Sequence, residues 1–263
     1  MSPPPLLPPE YPTSHRLLEG KTVVVTAAAG TGIGFATARR CAEEGARVLL
    51  SDKHEQRLHR YAATLSEELG QPFPTQPCDV TDQSQVEVLF EEALRQLGHI
   101  DVFINNAGLG GTTPIVEMAD EQWDNVLDVT LTGTFRCMRA AFKHMKPRRS
   151  GAIVNVASAS AWRAQAGQSH YAAAKAGVLA LTRCAALEAA EWGGRVNAVV
   201  PSLVLHPNLA KVSSPAFLDS LVEKEAMKRS AESWEVANTI VYLASDLASY
   251  LTGEAISVSE QRA

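Results

Sequence analysis

Short β-branched runs alternate with longer amphipathic stretches along almost the whole chain, and no other feature limits its possible folds so strongly. The runs are Thr22–Thr26, Arg47–Ser51, Asp101–Asn105, Ala152–Ala157, Val196–Val200 and Ala255–Val258, with a weaker one leading to Asp79. Between them, helical spacing covers approximately 33–44, 53–69, 83–97, 119–146, 169–192 and 234–246. Strands that alternate with helices pair in parallel, because a parallel neighbour needs a crossover, and the crossovers cover both faces of the sheet. The pattern predicts an α/β fold built on one parallel sheet. At 263 residues, with no internal repeat, the chain fits one larger α/β domain.

Residues 1–17 depart from this texture. Pro3, Pro4, Pro5, Pro8, Pro9 and Pro12 forbid helix and disfavour an interior strand, so a poorly ordered or surface-draped tail is expected before a domain over 18–263. A proline-rich ligand for another protein is the rival reading of the tail. Twenty-four Lys and Arg against 29 Asp and Glu give a net charge of −5, which argues against nucleic acid as a partner. The four cysteines form no C-x-x-C pair, so buried, reduced thiols are expected rather than zinc or disulfides. The seven histidines lack ligand spacing, and no metal is expected. No apolar run reaches the ~18 residues of a membrane span and no signal-peptide pattern opens the chain, so a cytoplasmic protein without membrane contact is expected.

The first run passes directly through Ala27-Ala28-Ala29-Gly30-Thr31-Gly32-Ile33-Gly34 into a helical stretch. This order brings backbone N–H groups to a helix N-terminus, where unpaired donors and the dipole favour a phosphate. Turn glycines often serve geometry alone, and Phe35 stands where G-x-G-x-x-G requires its third glycine. Asp52 adds weight, because it closes the second run twenty positions after Gly32, where a carboxylate accepts hydrogen bonds from a ribose. Together these signals favour a doubly wound sheet over a closed barrel, and a dinucleotide as ligand. The Asp52 charge repels a 2′-phosphate, favouring NAD over NADP. Lys53 and Arg57 leave that preference open, unless they are only solvated charges of the next helix. Cys78-Asp79-Val80 and Asn105-Asn106-Ala107-Gly108 follow further strand candidates, where a cofactor passes.

Tyr171 and Lys175 are four apart and project from one face of a helix. Ser158 lies thirteen residues before Tyr171, at the end of an apolar run, so a strand end and a helix can converge on one cleft. A phenol with a pKa of about 10 is a poor base at neutral pH, and lowering it by about three units takes roughly 4 kcal/mol. A lysine ammonium at about 4 Å in an effective dielectric near 20 supplies roughly that amount. The constellation predicts a tyrosine acid/base tuned by lysine, with Ser158 holding a substrate oxygen.

Gly30-Thr-Gly32-Ile-Gly34, Asp52, Asp79, Asn105-Asn-Ala-Gly108, Ser158, Tyr171-x-x-x-Lys175 and Arg195-Val-Asn-Ala-Val-Val-Pro201, in this order, resemble the short-chain dehydrogenase/reductases over about residues 18–259. The resemblance implies a single-domain Rossmann fold: a doubly wound, seven-stranded parallel sheet with helices on both faces. It also implies a nicotinamide cofactor and a homotetramer or homodimer. Tyr171 becomes the acid/base, Lys175 the residue that binds the nicotinamide ribose and lowers the tyrosine pKa, and Ser158 the orienter of substrate. By position the cofactor site gains Ala28, Gly30, Thr31, Gly32, Ile33, Gly34, Asp52, Lys53, Asp79, Val80, Asn106, Ala107, Gly108, Pro201, Ser202 and Val204.

The sequence also departs from the family pattern. Thr130, in Val129-Thr-Leu-Thr-Gly133, stands where the family has its catalytic asparagine, so a helix-kinking, water-holding role passes to Thr130 or to backbone. Ala28 takes the first glycine position in a turn one residue longer than usual. Ser202 replaces the glycine after Pro201, His206 replaces a threonine, and Val258-Ser-Glu-Gln261 replaces Val-Asp-Gly-Gly. The stretches 25–34, 161–165 and 169–177 resemble an actinobacterial branch of the family in steroid C/D-ring degradation, which oxidises a hydroxyl on a bicyclic hydrindane acyl-CoA.

Segments 159–168 and 203–226 should border the substrate, with Ser160, Arg163, Leu205 and His206 as candidate contacts. Leu203, Val204, Leu205, Leu209 and Phe217 form either an apolar lid for a bulky alcohol or the core of a short helix. Arg163 and Lys211 meet a carboxylate or CoA phosphates, unless they are plain solvated cations. The expected activity is NAD-dependent interconversion of a secondary alcohol and a ketone on a hydrophobic substrate, such as a CoA thioester. One rival is a 3-oxoacyl-thioester or other ketone reductase using NADP. Another is a dinucleotide-binding regulator without turnover, motivated by Thr130 and the altered turns.

Overall fold

The computed structural model describes residue 7 and residues 9–163, 165–205, 215–223 and 225–259, and of residues 215–217 and 220 the backbone alone. Seven parallel strands form one sheet in the order β3-β2-β1-β4-β5-β6-β7. They are β1 (Thr22–Val25), β2 (Arg47–Asp52), β3 (Thr75–Pro77), β4 (Val102–Asn105), β5 (Gly151–Val156), β6 (Gly194–Pro201) and β7 (Ala255–Val258). Every expected run forms a strand. The weak one yields only three residues, at the sheet edge where Pro77 costs no ladder bond.

The helices are α1 (Ile33–Glu43), α2 (Glu55–Leu69), α3 (Gln83–Leu97), α4 (Asp120–Leu127), α5 (Gly133–Arg148), α6 (Ser169–Ala190), α7 (Pro215–Val222) and α8 (Ser233–Ala244). The helix expected over 119–146 is one helical run interrupted by a π-helical turn, Asp128–Thr132, where the Gly133 N–H reaches the Asp128 carbonyl. Gly133 is needed there, because a Cβ would stand 2.6 Å from Val80 Cγ2.

Alternation along the strands builds two cores. Val23, Val25, Leu50, Ile104 and Val154 face α1, α2 and α8, whereas Val24, Leu49, Phe103 and Ile153 face α3, α5 and α6. The chain runs outward through β1, β2 and β3 and then returns to β4 beside β1. The carboxyl ends of β1 and β4 therefore flank the switch point where doubly wound sheets bind ligands.

The polypeptide before β1 is strapped to α1 and α8. Tyr11 donates to Glu43 at 2.7 Å, lies under the Arg40 guanidinium and meets Trp234 edge-on at 5.4 Å. The fully buried Glu44 accepts the N–H groups of His15 and Leu17 at 3.0 Å and pairs with Arg40 at 2.6 Å. Cys41, Cys78 and Cys137 are buried as expected, but Cys184 is exposed because it lies on the outer face of α6. Among the described residues no helix is long and apolar enough to cross a membrane, and no group of three His, Cys, Asp or Glu is placed to hold a metal.

Candidate active site

The turn after β1 is bound to the neighbouring strands through side chains that sequence alone could not place. Thr26 Oγ1 donates to the Ile104 carbonyl and accepts from the N–H groups of Asn106 and Ala107 at 3.0 and 3.2 Å. The Asn106 amide donates to the carbonyls of Thr26 and Ala27, both at 3.1 Å, so it shapes the turn. The glycine-like role falls on Ala27 (φ +49°), not on Ala28, because the turn is one residue longer. Ala28 is fully buried and its N–H is taken by Ser51, which removes that donor from the expected phosphate contacts.

Gly34 packs where a Cβ would meet Ala27 O and Asn106 Nδ2 at 2.4 Å, whereas Cβ atoms at Gly30 and Gly32 would enter open space. The first donors of α1 receive no side-chain cap from Gly32. Thr31 is exposed and Ile33 half-buried at this rim.

Asp52 ends β2 almost fully buried. Its carboxylate accepts from Ala29 N at 3.2 Å and His54 N at 2.9 Å, and pairs with Arg57 at 3.1 Å. Arg57 is thus not a merely solvated first-turn charge, and its buried Nε has no partner. Burial of the Asp79 carboxyl is outweighed by its hydrogen bonds from Thr81 and, to a smaller extent, by the charge of exposed Lys53, which together hold it below its usual range. Val80 is buried against Gly133.

Ser158 follows β5, and Tyr171 stands in the first turn of α6, near enough for the Ser158 hydroxyl to act on its phenol. Burial pushes that phenol up from its ordinary value, against the smaller opposing effect of Ser158. Lys175, one turn further, is buried and pushed down to about 8 by desolvation. Its ammonium donates to Val156 O at 2.6 Å and lies 5.7 Å from the Tyr171 ring centroid. This corrects the expectation that lysine alone lowers the phenol pKa, because burial raises it while the ammonium is anchored to the end of β5. Cationic Lys175 lowers stability fully below about pH 8, and the cost fades as pH rises toward the unfolded value of 10.5.

Chain 108–113 crosses above this triad. A Cβ on Gly108 would stand 3.2 Å from Lys175 Nζ, one on Gly110 3.7 Å from the Tyr171 ring, and one on Gly111 3.2 Å from His170 Nε2. Thr113 N donates to Gly167 O at 2.8 Å. The sequence reading missed Leu109–Gly111 and the buried His170, although the closely spaced glycines 108, 110 and 111 signalled a backbone laid tightly over something.

Ser160 bonds Gln168 at 3.2 Å and donates its N–H to Ser158 Oγ. Arg163 keeps a buried Nη1 without a partner, and Trp162 beside it is exposed. Beyond β6, Ser202 N bonds Val258 O, and Val204 bridges to Ala231. Leu203 and Val204 are buried, so they belong to the core rather than to a lid, whereas Leu205 is partly exposed. His206, Leu209 and Lys211 lie outside the described residues, as does the side chain of Phe217.

A family model described as enoyl-(acyl carrier protein) reductase matches residues 27–260. The protein named (5R,7aS)-5-hydroxy-7a-methyl-1-oxo-2,3,5,6,7,7a-hexahydro-1H-indene-carboxyl-CoA reductase of Mycobacterium tuberculosis is 56% identical over 255 residues, covering 96% of this chain and 97% of the relative. The chain belongs to the short-chain dehydrogenase/reductase family. A short-chain dehydrogenase from Mycobacterium smegmatis has a crystal structure that superposes with a TM-score of 0.86 at 51% identity, covering 97% of this chain and 98% of that one. A 3-oxoacyl-[acyl-carrier-protein] reductase of Thermotoga maritima is 37% identical over 243 residues, covering 92% and 97%.

As a short-chain dehydrogenase/reductase the protein is an oxidoreductase acting on CH–OH groups, with a fold that binds a nicotinamide dinucleotide. The residues present fit that group. Open space lies over Gly30 and Gly32, uncapped donors open α1, and an unpartnered Arg57 Nε lies beside the Asp52 carboxylate.

Proposed function

We propose that this short-chain dehydrogenase/reductase interconverts a secondary alcohol and a ketone on a bicyclic, steroid-derived CoA thioester, with NAD as cofactor. The observation that carries the reading is the convergence of Ser158, just after β5, with Tyr171 and Lys175 on α6 beneath the Gly108–Thr113 backbone. A nicotinamide, when bound, supplies or accepts the hydride. Ser158 holds the substrate oxygen, and Tyr171 gives or takes its proton. Lys175, with one N–H on Val156, has its remaining donors for the ribose hydroxyls.

The substrate class is taken from the M. tuberculosis relative's name and is supported by the unpartnered Arg163 Nη1, which suits an anionic group of CoA. The likeness to the T. maritima protein favours the 3-oxoacyl alternative less, at its lower identity. Asp52 supports NAD, although Arg57 partly balances its charge. In this reading the reaction is cytoplasmic.

The test is NADH formation from a hydroxylated hexahydroindene-carboxyl-CoA, with simple secondary alcohols and a 3-hydroxyacyl thioester in parallel. Turnover of the bicyclic thioester with NAD is expected, and preference for the 3-hydroxyacyl thioester with NADP would replace the proposal. In the cofactor arm, Asp52→Asn keeps an acceptor for the backbone while removing the charge. It should raise the NADP-to-NAD ratio of kcat/KM about tenfold, since a charge within a few ångströms of a phosphate is worth at least that. An unchanged ratio would take Asp52 off the ribose.

We further propose that the protein self-associates through α5 and α6. Phe135, Phe142, Leu181 and Cys184 line an apolar groove between these helices, and Leu187 on α6 is 77% exposed. Basic Arg139, Lys143 and Lys146 on α5 face acidic Glu188 on α6 across the groove, the self-complementarity that a two-fold contact between copies needs. Sedimentation equilibrium should give a dimer or tetramer mass, and a monomer at micromolar concentration would exclude the contact.

A further inference from the structure

Thr130 occupies the π-helical turn between α4 and α5 and is fully buried. Its hydroxyl accepts the Leu109 N–H at 3.0 Å and donates to the Leu109 carbonyl at 3.1 Å, clasping one residue from both sides. A hydroxyl has a single proton to donate, so this clasp leaves no donor to pass toward Lys175. The Thr130 carbonyl accepts the Thr134 hydroxyl at 2.8 Å with one of its two lone pairs. Leu109 sits within the strip whose glycines 108, 110 and 111 run so close to Lys175, Tyr171 and His170 that added Cβ atoms would stand 3.2–3.7 Å from those side chains. The other end of that strip is tied by Thr113 N to Gly167 O, in the loop bordering the substrate side. A rigid clasp at Leu109 therefore sets how high the strip rides above Tyr171.

We propose that Thr130 is a positioning residue, whose side chain holds the Gly108–Thr113 strip over Tyr171 and so sets the space for substrate, and that its hydroxyl carries no proton to Lys175. The inference rests on the proposed Tyr171-centred chemistry. Thr130→Val keeps the shape and removes both hydrogen bonds, Thr130→Ser restores the hydroxyl, and Thr130→Ala is read the same way as the valine variant should that one not fold.

The expected result for T130V is a KM for the alcohol raised about tenfold, with the pH profile of kcat and the NADH Kd unchanged. Amide hydrogen exchange at Leu109 should quicken, and T130S should return both KM and exchange to within about twofold of the parent. A shifted kcat pH profile at constant KM would assign Thr130 to a proton path and overturn the proposal. So would a T130V enzyme indistinguishable from the parent in KM and in exchange. The exchange readout separates the two readings: faster exchange in T130V upholds the clasp even if Tyr171→Phe retains turnover, which would defeat only the acid/base assignment.

Discussion

Tyr171→Phe is expected to lower kcat by ~10²–10⁴-fold while NADH affinity stays within about twofold. The substitution removes one oxygen, and with it the phenol beside Ser158 that in the proposed reaction gives a proton to an alkoxide or takes one from an alcohol. Because burial holds the phenol above its ordinary value of 10, the neutral form dominates near pH 7, which suits the donor role in ketone reduction. In the oxidative direction the phenolate is needed, so alcohol oxidation should climb with pH across the neutral and alkaline range, while reduction stays flat until the phenol itself ionises. Retention of more than about a tenth of wild-type kcat in the phenylalanine variant would show that Tyr171 is not the acid/base.

The second large effect is one of stability. Glu44→Ala is expected to destabilise the protein by about 3 kcal/mol, the low end for removing one partner of a buried ion pair. The cost follows from three lost contacts, to Arg40 and to the backbone of His15 and Leu17, with Glu43 and Asn238 still holding the guanidinium. For a chain of this size that corresponds to a fall in Tm of roughly 6–12 °C at equal protein concentration. Turnover at 25 °C should survive, because the strap grips α1 far from Tyr171. Glu44→Gln, which keeps an acceptor for the two N–H groups, should lose less. A Tm change below about 2 °C in the alanine variant would mean that the strap contributes nothing to the fold.

Far apart in the chain, the strap and the triad differ in how well the sequence announces them. Ser158, Tyr171 and Lys175 are legible because helical spacing puts two of them on one face and a strand end delivers the third. Asp52 is legible because it terminates an apolar run. Glu44 is not, since a glutamate at the end of an amphipathic helix reads as solvent-exposed. Only the return of the proline-rich segment across α1 buries it. Asn106 and Ala28 were assigned to the cofactor by position, yet the structure gives Asn106's donors to the turn carbonyls and Ala28's N–H to Ser51.

What the sequence by itself determined is the layered architecture, the strand and helix order and the convergence of Ser158, Tyr171 and Lys175 proposed as the reacting side chains. Hydrophobic period and local spacing are properties of neighbouring residues, and they survive without knowledge of the fold. The tertiary structure alone decided which polar atoms are already paired. It placed Arg57 on Asp52, Lys175 on Val156 and Thr130 on Leu109, and it raised the Tyr171 phenol by burial. Hydrogen-bond partners and desolvation depend on atoms dozens of residues distant in the chain, and only the packed sheet and helices bring those atoms within reach.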